Sequence, residues 1–150
     1  MNEKSLVDLC RKRQKQFRSF LKDNGLSQDF VIEMCIGDIS EFPETRNVAY
    51  TMHKAKKKCC MVFAPKWNVL TDDNYDAVAR HEFCHALHFL FPNIFSVLKK
   101  RGLYFKEDQL EIFADKMAEI VFGDRIYYDD DLIQTLCETD CGTRPRHLTW

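Results

Sequence analysis

The chain has 150 residues, 45% of them hydrophobic and 30% charged, and a formal net charge of −1. That length suffices for one domain with one core, and the near-neutral balance gives no bulk argument for nucleic acid or a membrane surface as partner. The opening MNEKSLVDLCRKRQ lacks the apolar run of a signal peptide, and no stretch approaches a membrane span, so a soluble, cytoplasmic protein is expected.

No internal repeat, low-complexity block or linker divides the sequence, which predicts a single domain over residues 1–150. An N-terminal helix is expected within residues 1–25, over about 5–22: Ser5 can cap it, and Leu6, Leu9, Arg13, Phe17 and Phe20 recur at helical spacing. Arg11, Lys15, Arg18 and Lys22 form a basic stripe on another face, read as solvated, with a polyanion contact as the alternative. DNGLSQD is turn chemistry and FVIEMCI a buried strand. RNVAYTM and KCCMVFAP flank HKAKK and predict a β-hairpin with a basic tip; His53 reads as a surface or turn histidine, and Pro65 ends the second strand.

TDDNYDAVARHEFCHALHFLFP carries the marks of one long helix. Thr71 or Asp73 can cap it, three aspartates complement its positive end, and Pro92 stops it at Phe91. A short helical piece is expected around 93–101. EDQLEIFADKMAEIVFG then predicts a last helix over about 107–122, closing at Gly123. Residues 124–150 form a C-terminal extension, acidic first and basic last, whose structure the pattern does not define. The order of elements predicts an α+β domain with a small antiparallel or mixed sheet packed on helices. Seven cysteines without a secretion signal read as reduced thiols of an intracellular, reducing compartment.

The long helix contains HEFCH. His81 and His85 are four residues apart, so their imidazoles share a helix face one turn apart, a spacing that suits two ligands on one tetrahedral zinc. Glu82 is rotated off that stripe and can lean over a metal-bound water instead of binding the metal. A catalytic zinc needs a third protein ligand. Position 91 is Phe91, so the extended histidine motif is absent, and His147 is the one histidine beyond this helix. Glu111 on the last helix fits best, with Glu107 and Glu119 as poorer candidates. Asp115, one turn on, could accept the free ring N–H of a ligating histidine. Small Ala114 and Ala118 would let the two helices approach closely. Taken alone, Glu111 and Asp115 would read as the wet face of an amphipathic helix.

HEFCHALH followed by EIFADKMAEIVFG resembles the glutamate-zincin arrangement, particularly that of the ImmA/IrrE-type intracellular metallopeptidases. The likeness covers about residues 45–122 and departs from the common pattern at Phe83-Cys84, where a Leu-Gly pair is usual. The SprT-like proteases are a weaker resemblance, because their downstream third histidine is missing. The resemblance implies a minimal zincin-like domain in which His81, His85 and Glu111 hold one Zn2+ and Glu82 is the catalytic base. It also implies a zinc-dependent endopeptidase, in which a zinc-activated water attacks a peptide bond of an intracellular protein substrate with help from Glu82. Tyr127, Tyr128, His88 and His147 are candidates for the oxyanion donor; His88 either packs simply or edges the cleft. Cys84 reads as core. Cys137, Cys141 and His147 fall short of a structural zinc set.

Zincin clefts commonly take substrate as an added strand, and the strand at 58–64 is the expected sheet edge. Its neighbours Lys54, Lys56, Lys57 and Lys58 read as solvated residues protecting a hairpin tip. Two other readings compete with the endopeptidase: a zincin-fold binding module that docks a partner, and a nucleic-acid-associated protease that uses the basic stripe or the hairpin lysines. Oligomeric state is not legible.

Overall fold

A computed structural model describes residues 1–37, 48–68, 70–123 and 146–148. Helix α1 (Glu3–Asp23) opens the chain. Asn2 caps it, accepting the Ser5 backbone N–H at 2.9 Å, while the Ser5 hydroxyl accepts the Asn2 N–H at 2.8 Å. Ser5 is therefore the reciprocal partner of a capping box rather than the cap, and the helix starts earlier than its apolar periodicity suggests. Leu6, Cys10, Phe17 and Leu21 form its buried stripe.

Strands β1 (Val31–Ile36), β2 (Ala49–Ala55), β3 (Lys58–Phe63) and β4 (Arg146–Leu148) form one sheet in the order β2-β3-β1-β4. The expected hairpin is present as the antiparallel pair β2–β3. β1 runs parallel to β3, with Val31 opposite Lys58 and Ile36 opposite Phe63. β4 closes the far side antiparallel to β1, setting His147 opposite Cys35. The sheet is thus mixed, and the domain is α+β.

β3 was a candidate for the sheet edge, but it is interior, and among the described residues β2 is the edge beside it. The reason lies in the unbroken apolar run Cys59–Phe63, every residue of which is buried. Cys59, Met61 and Phe63 join the main core with the helices. Cys60 and Val62 join a second cluster with Cys35, Tyr50 and Ala64 on the other face. A strand buried on both faces belongs inside a sheet.

Helix α2 (Asp72–Leu90) packs on β2 and β3 and is flanked by α1 and α4 (Leu110–Phe122). Thr71 caps it reciprocally with Asn74, and Phe91 ends it just before Pro92. Tyr75 ties its first turns to the end of β3: the phenol donates to the Ala64 carbonyl at 2.6 Å and accepts the Lys66 N–H at 2.9 Å. A short α3 (Ile94–Lys99) leads into α4, which starts later than the expected 107 because Glu107 and Asp108 remain in a turn. Gly123, at φ 79°, ends α4 in the left-handed conformation that glycine tolerates best. Among the described residues, no helix is long and apolar enough to cross a membrane.

One buried cation locks the helices together. Arg13, only 6% exposed, donates from Nε and Nη2 to the two carboxylate oxygens of Asp76 at 2.7 and 2.6 Å, joining α1 to α2. Its guanidinium also lies over the Phe122 ring of α4 at 5.6 Å. Breaking such a fork leaves the poorly solvated Asp76 carboxylate to the longer contact from Arg80 Nε at 3.5 Å. Arg13→Met is therefore expected to lower the unfolding free energy by about 3 kcal/mol in a denaturant titration, with partial recovery in Arg13→Met/Asp76→Leu. A loss below about 0.5 kcal/mol would show that the pair is no more than a surface contact.

Candidate metal centre

The site begins with the packing of α4 on α2. Ala114 and Ala118 of α4 are fully buried. Small residues let the helix axes approach. Glu111 and Asp115 stand one turn apart on α4 and reach the same imidazole of α2. Asp115 Oδ1 lies 2.7 Å from His81 Nδ1, and Glu111 Oε2 lies 2.9 Å from His81 Nε2. The His81 ring is held at both nitrogens by carboxylates from the neighbouring helix.

His85 completes a triangle. Its Nε2 is 2.9 Å from His81 Nε2 and 3.1 Å from Glu111 Oε1. His81, His85 and Glu111 thus lie close enough to hold one metal ion. A tetrahedral ion bonded at about 2.0–2.1 Å would separate its donors by roughly 3.3–3.4 Å, a few tenths more than these edges. The donor chemistry fits as well. With Asp115 accepting from Nδ1 of His81, the remaining ring nitrogen offers a lone pair to the same point as the Glu111 carboxylate. Converging lone pairs need a positive charge between them, either a proton or a metal ion. The Glu111 side chain is 72% exposed whereas the histidine side chains are 12% and 11% exposed, so the triangle opens to solvent on its carboxylate side.

The electrostatics report the same need. Burial alone would lower the His81 pKa, but hydrogen bonds to Asp115 and Glu111 outweigh it and raise the value to about 10. Hydrogen bonds from His81 and His85 hold the Glu111 carboxyl well below the usual carboxylate range. A proton on His81 therefore takes the place that a cation would occupy.

Glu82 is not one of the three converging groups, as its position off the stripe shared by His81 and His85 requires. It is 4% exposed, and burial pushes its carboxyl above the usual range against the opposing pull of His85 and His81. Thr51 on β2 donates its hydroxyl to Glu82 Oε2 at 2.8 Å and lies 3.1 Å from the Glu82 carbonyl. Sequence reasoning missed Thr51. It sits in an unremarkable strand position, and only the packing of α2 on β2 reveals it.

The remaining expected residues divide. His88 is buried and faces inward, its Nε2 2.9 Å from His85 Nδ1, so it backs a histidine of the triangle rather than edging a cleft. Burial, helped by His85, lowers its pKa to about 4. His147 sits on β4 at the sheet edge opposite β2. Three strand spacings separate those edges, roughly 14 Å, and α2 packs on the β2–β3 side. His147 is thereby placed away from the site by its backbone. Glu107 lies in the turn before α4, and Glu119 is two turns beyond Glu111, roughly 12 Å along the helix. Cys84 is fully buried, with its thiol raised by burial, and is core. Tyr127, Tyr128, Cys137 and Cys141 lie outside the described residues. No family model, curated protein or solved structure matches the chain.

Two outcomes follow from the triangle. Metal analysis of the purified chain should give about one divalent ion per molecule, and Glu111→Ala should weaken binding at least about tenfold in a chelator competition; undiminished binding would move the third ligand elsewhere. In chelator, the stability that His81 contributes through its raised pKa should be full below about pH 6.5 and lost as pH rises through about 10. The difference in melting temperature between wild type and His81→Gln should therefore shrink over that range. A difference that stayed constant would show that no proton is held there.

Proposed function

We propose that the chain is a zinc-dependent endopeptidase of the glutamate-zincin type, acting on protein or peptide substrates in the cytoplasm. The observation that carries this reading is the convergence of His81 Nε2, His85 Nε2 and the Glu111 carboxylate, with Glu82 next in sequence to a ligand yet outside the triangle. Two histidines and a glutamate are a donor set that suits zinc and leaves a fourth position open. Zinc bound there supplies Lewis acidity and brings the pKa of water down to about 7. Glu82 takes the proton that this water gives up and later delivers it to the leaving amine. A carboxylate whose pKa burial has raised is better matched to that exchange than an ordinary one. The Thr51 hydroxyl holds one Glu82 oxygen and so orients the other.

The edge strand supports the same reading from the substrate side. β2 pairs with β3 on one flank and, among the described residues, with no strand on the other. Through Thr51 it touches the base. An extended peptide added along β2 would run past Glu82, with backbone hydrogen bonds supplying affinity in a sequence-tolerant way. The basic residues favour a nucleic-acid partner less. Arg18 spends its guanidinium on the carbonyls of Gln28 and Phe30, while Lys57 and Lys58 each pair with a carboxylate, Asp29 and Glu33.

The decisive variant is Glu82→Gln. With zinc content unchanged, cleavage of an unfolded protein such as denatured casein should fall by about 10²–10⁴-fold. Full cleavage by Glu82→Gln would refute the assignment. Zinc bound with no Glu82-dependent cleavage of casein or cell extract would favour a docking module on the same scaffold.

A further inference from the structure

His81 and His85 are held differently at the nitrogen that faces away from the triangle. Behind His81 stands Asp115, a carboxylate that only accepts. Behind His85 stands another imidazole: His85 Nδ1 is 2.9 Å from His88 Nε2. An imidazole can donate or accept at either nitrogen, so here the direction of the hydrogen bond is a choice.

We infer that His88 is a positioning residue for the metal centre, accepting the His85 Nδ1–H at Nε2 and so keeping the His85 Nε2 lone pair turned toward Glu111 and His81. The inference rests on the reading that the triangle holds a metal. A neutral imidazole has one ring proton. For His85 Nε2 to act as a ligand, that proton must sit on Nδ1, and His88 Nε2 must receive it. His88 then carries its own proton on Nδ1. If His88 instead donated from Nε2, the His85 proton would move to Nε2, where it would point at the space the ion needs.

The surroundings fix the ring that makes this choice. His88 is 8% exposed and follows His85 by three residues on one helix face. Phe89 packs on its ring with centroids 4.3 Å apart, and Phe113 of α4 meets it edge-on at 5.9 Å. The His85 and His88 rings stand nearly perpendicular, at 87°. His88 therefore cannot swing to the cleft without leaving its aromatic pocket. It acts through His85, not on substrate.

Zinc affinity, measured by competition with a chromophoric chelator, tests this without any assay of activity. His88→Phe, which fills the pocket but cannot accept, should bind zinc about 10–100-fold more weakly. His88→Gln, which keeps an acceptor oxygen, should recover most of that loss. A folded His88→Phe with wild-type affinity would overturn the inference. Should His88→Phe fail to fold, imidazole 15N correlation spectra of the zinc-loaded wild type decide. Protons on Nδ1 of both His85 and His88 support the inference, and a proton on His88 Nε2 overturns it. His81→Ala serves as the control. If it retains full zinc affinity, the metal reading falls and takes this inference with it. If it loses zinc while His88→Phe does not, only the role of His88 falls.

Discussion

Everything at the candidate site depends on how closely α4 can lie against α2. The two histidines need only the local geometry of one helix. Their carboxylate partners come from 30 and 34 residues further along the chain, and the helix contact alone delivers them. Ala114 and Ala118 of α4 are fully buried. A larger side chain in that contact would move Glu111 and Asp115 off the His81 ring by more than a hydrogen bond tolerates. Packing and chemistry meet in one interface: the residues that make it tight are not the residues that use it.

The same helix carries a second division of labour. Its histidine side meets α4, while its other flank meets β2, where Thr51 holds Glu82. Glu82 and the two histidines are thus close in sequence but anchored to different layers, the first to the sheet and the others to a helix. Arg13 and Tyr75 brace this arrangement from outside the site. The first links α2 to α1, and the second links it to the end of β3. The cost of gathering several polar groups at a half-buried point is offset by hydrogen bonds to nearly every one of them.

Much of this was legible in the sequence, and apart from the approach of Glu111 and Asp115 to His81, which donor chemistry rather than periodicity suggested, the legible parts are local. Thr71 and Pro92 bracket α2, Gly123 closes α4, and the hairpin follows from apolar runs around HKAKK. The i, i+4 spacings of His81 with His85 and of Glu111 with Asp115 each mark a shared helix face. What periodicity does not encode is which faces meet. Strand order is such a case, since nothing in KCCMVF states that its second neighbour is the parallel β1. Arg13 stood among the apolar positions of α1, yet its partner Asp76 is 63 residues away. His88 shares a face with His85 in any helix, but whether that face meets solvent or the aromatic rings of α4 is a tertiary fact. Asn2 was overlooked for a different reason. A cap lies outside the periodic segment, so an apolar pattern locates it only to within a turn.

The central claim is that two imidazoles and one carboxylate share a single ion. X-ray absorption at the zinc edge of the metal-loaded protein reads that directly. The account predicts a first shell of only nitrogen and oxygen at about 2.0–2.1 Å, with the outer-shell scattering of two imidazoles. In a chain with seven cysteines, sulfur at about 2.3 Å would instead place the metal on thiolates, and the site described here would not be its home.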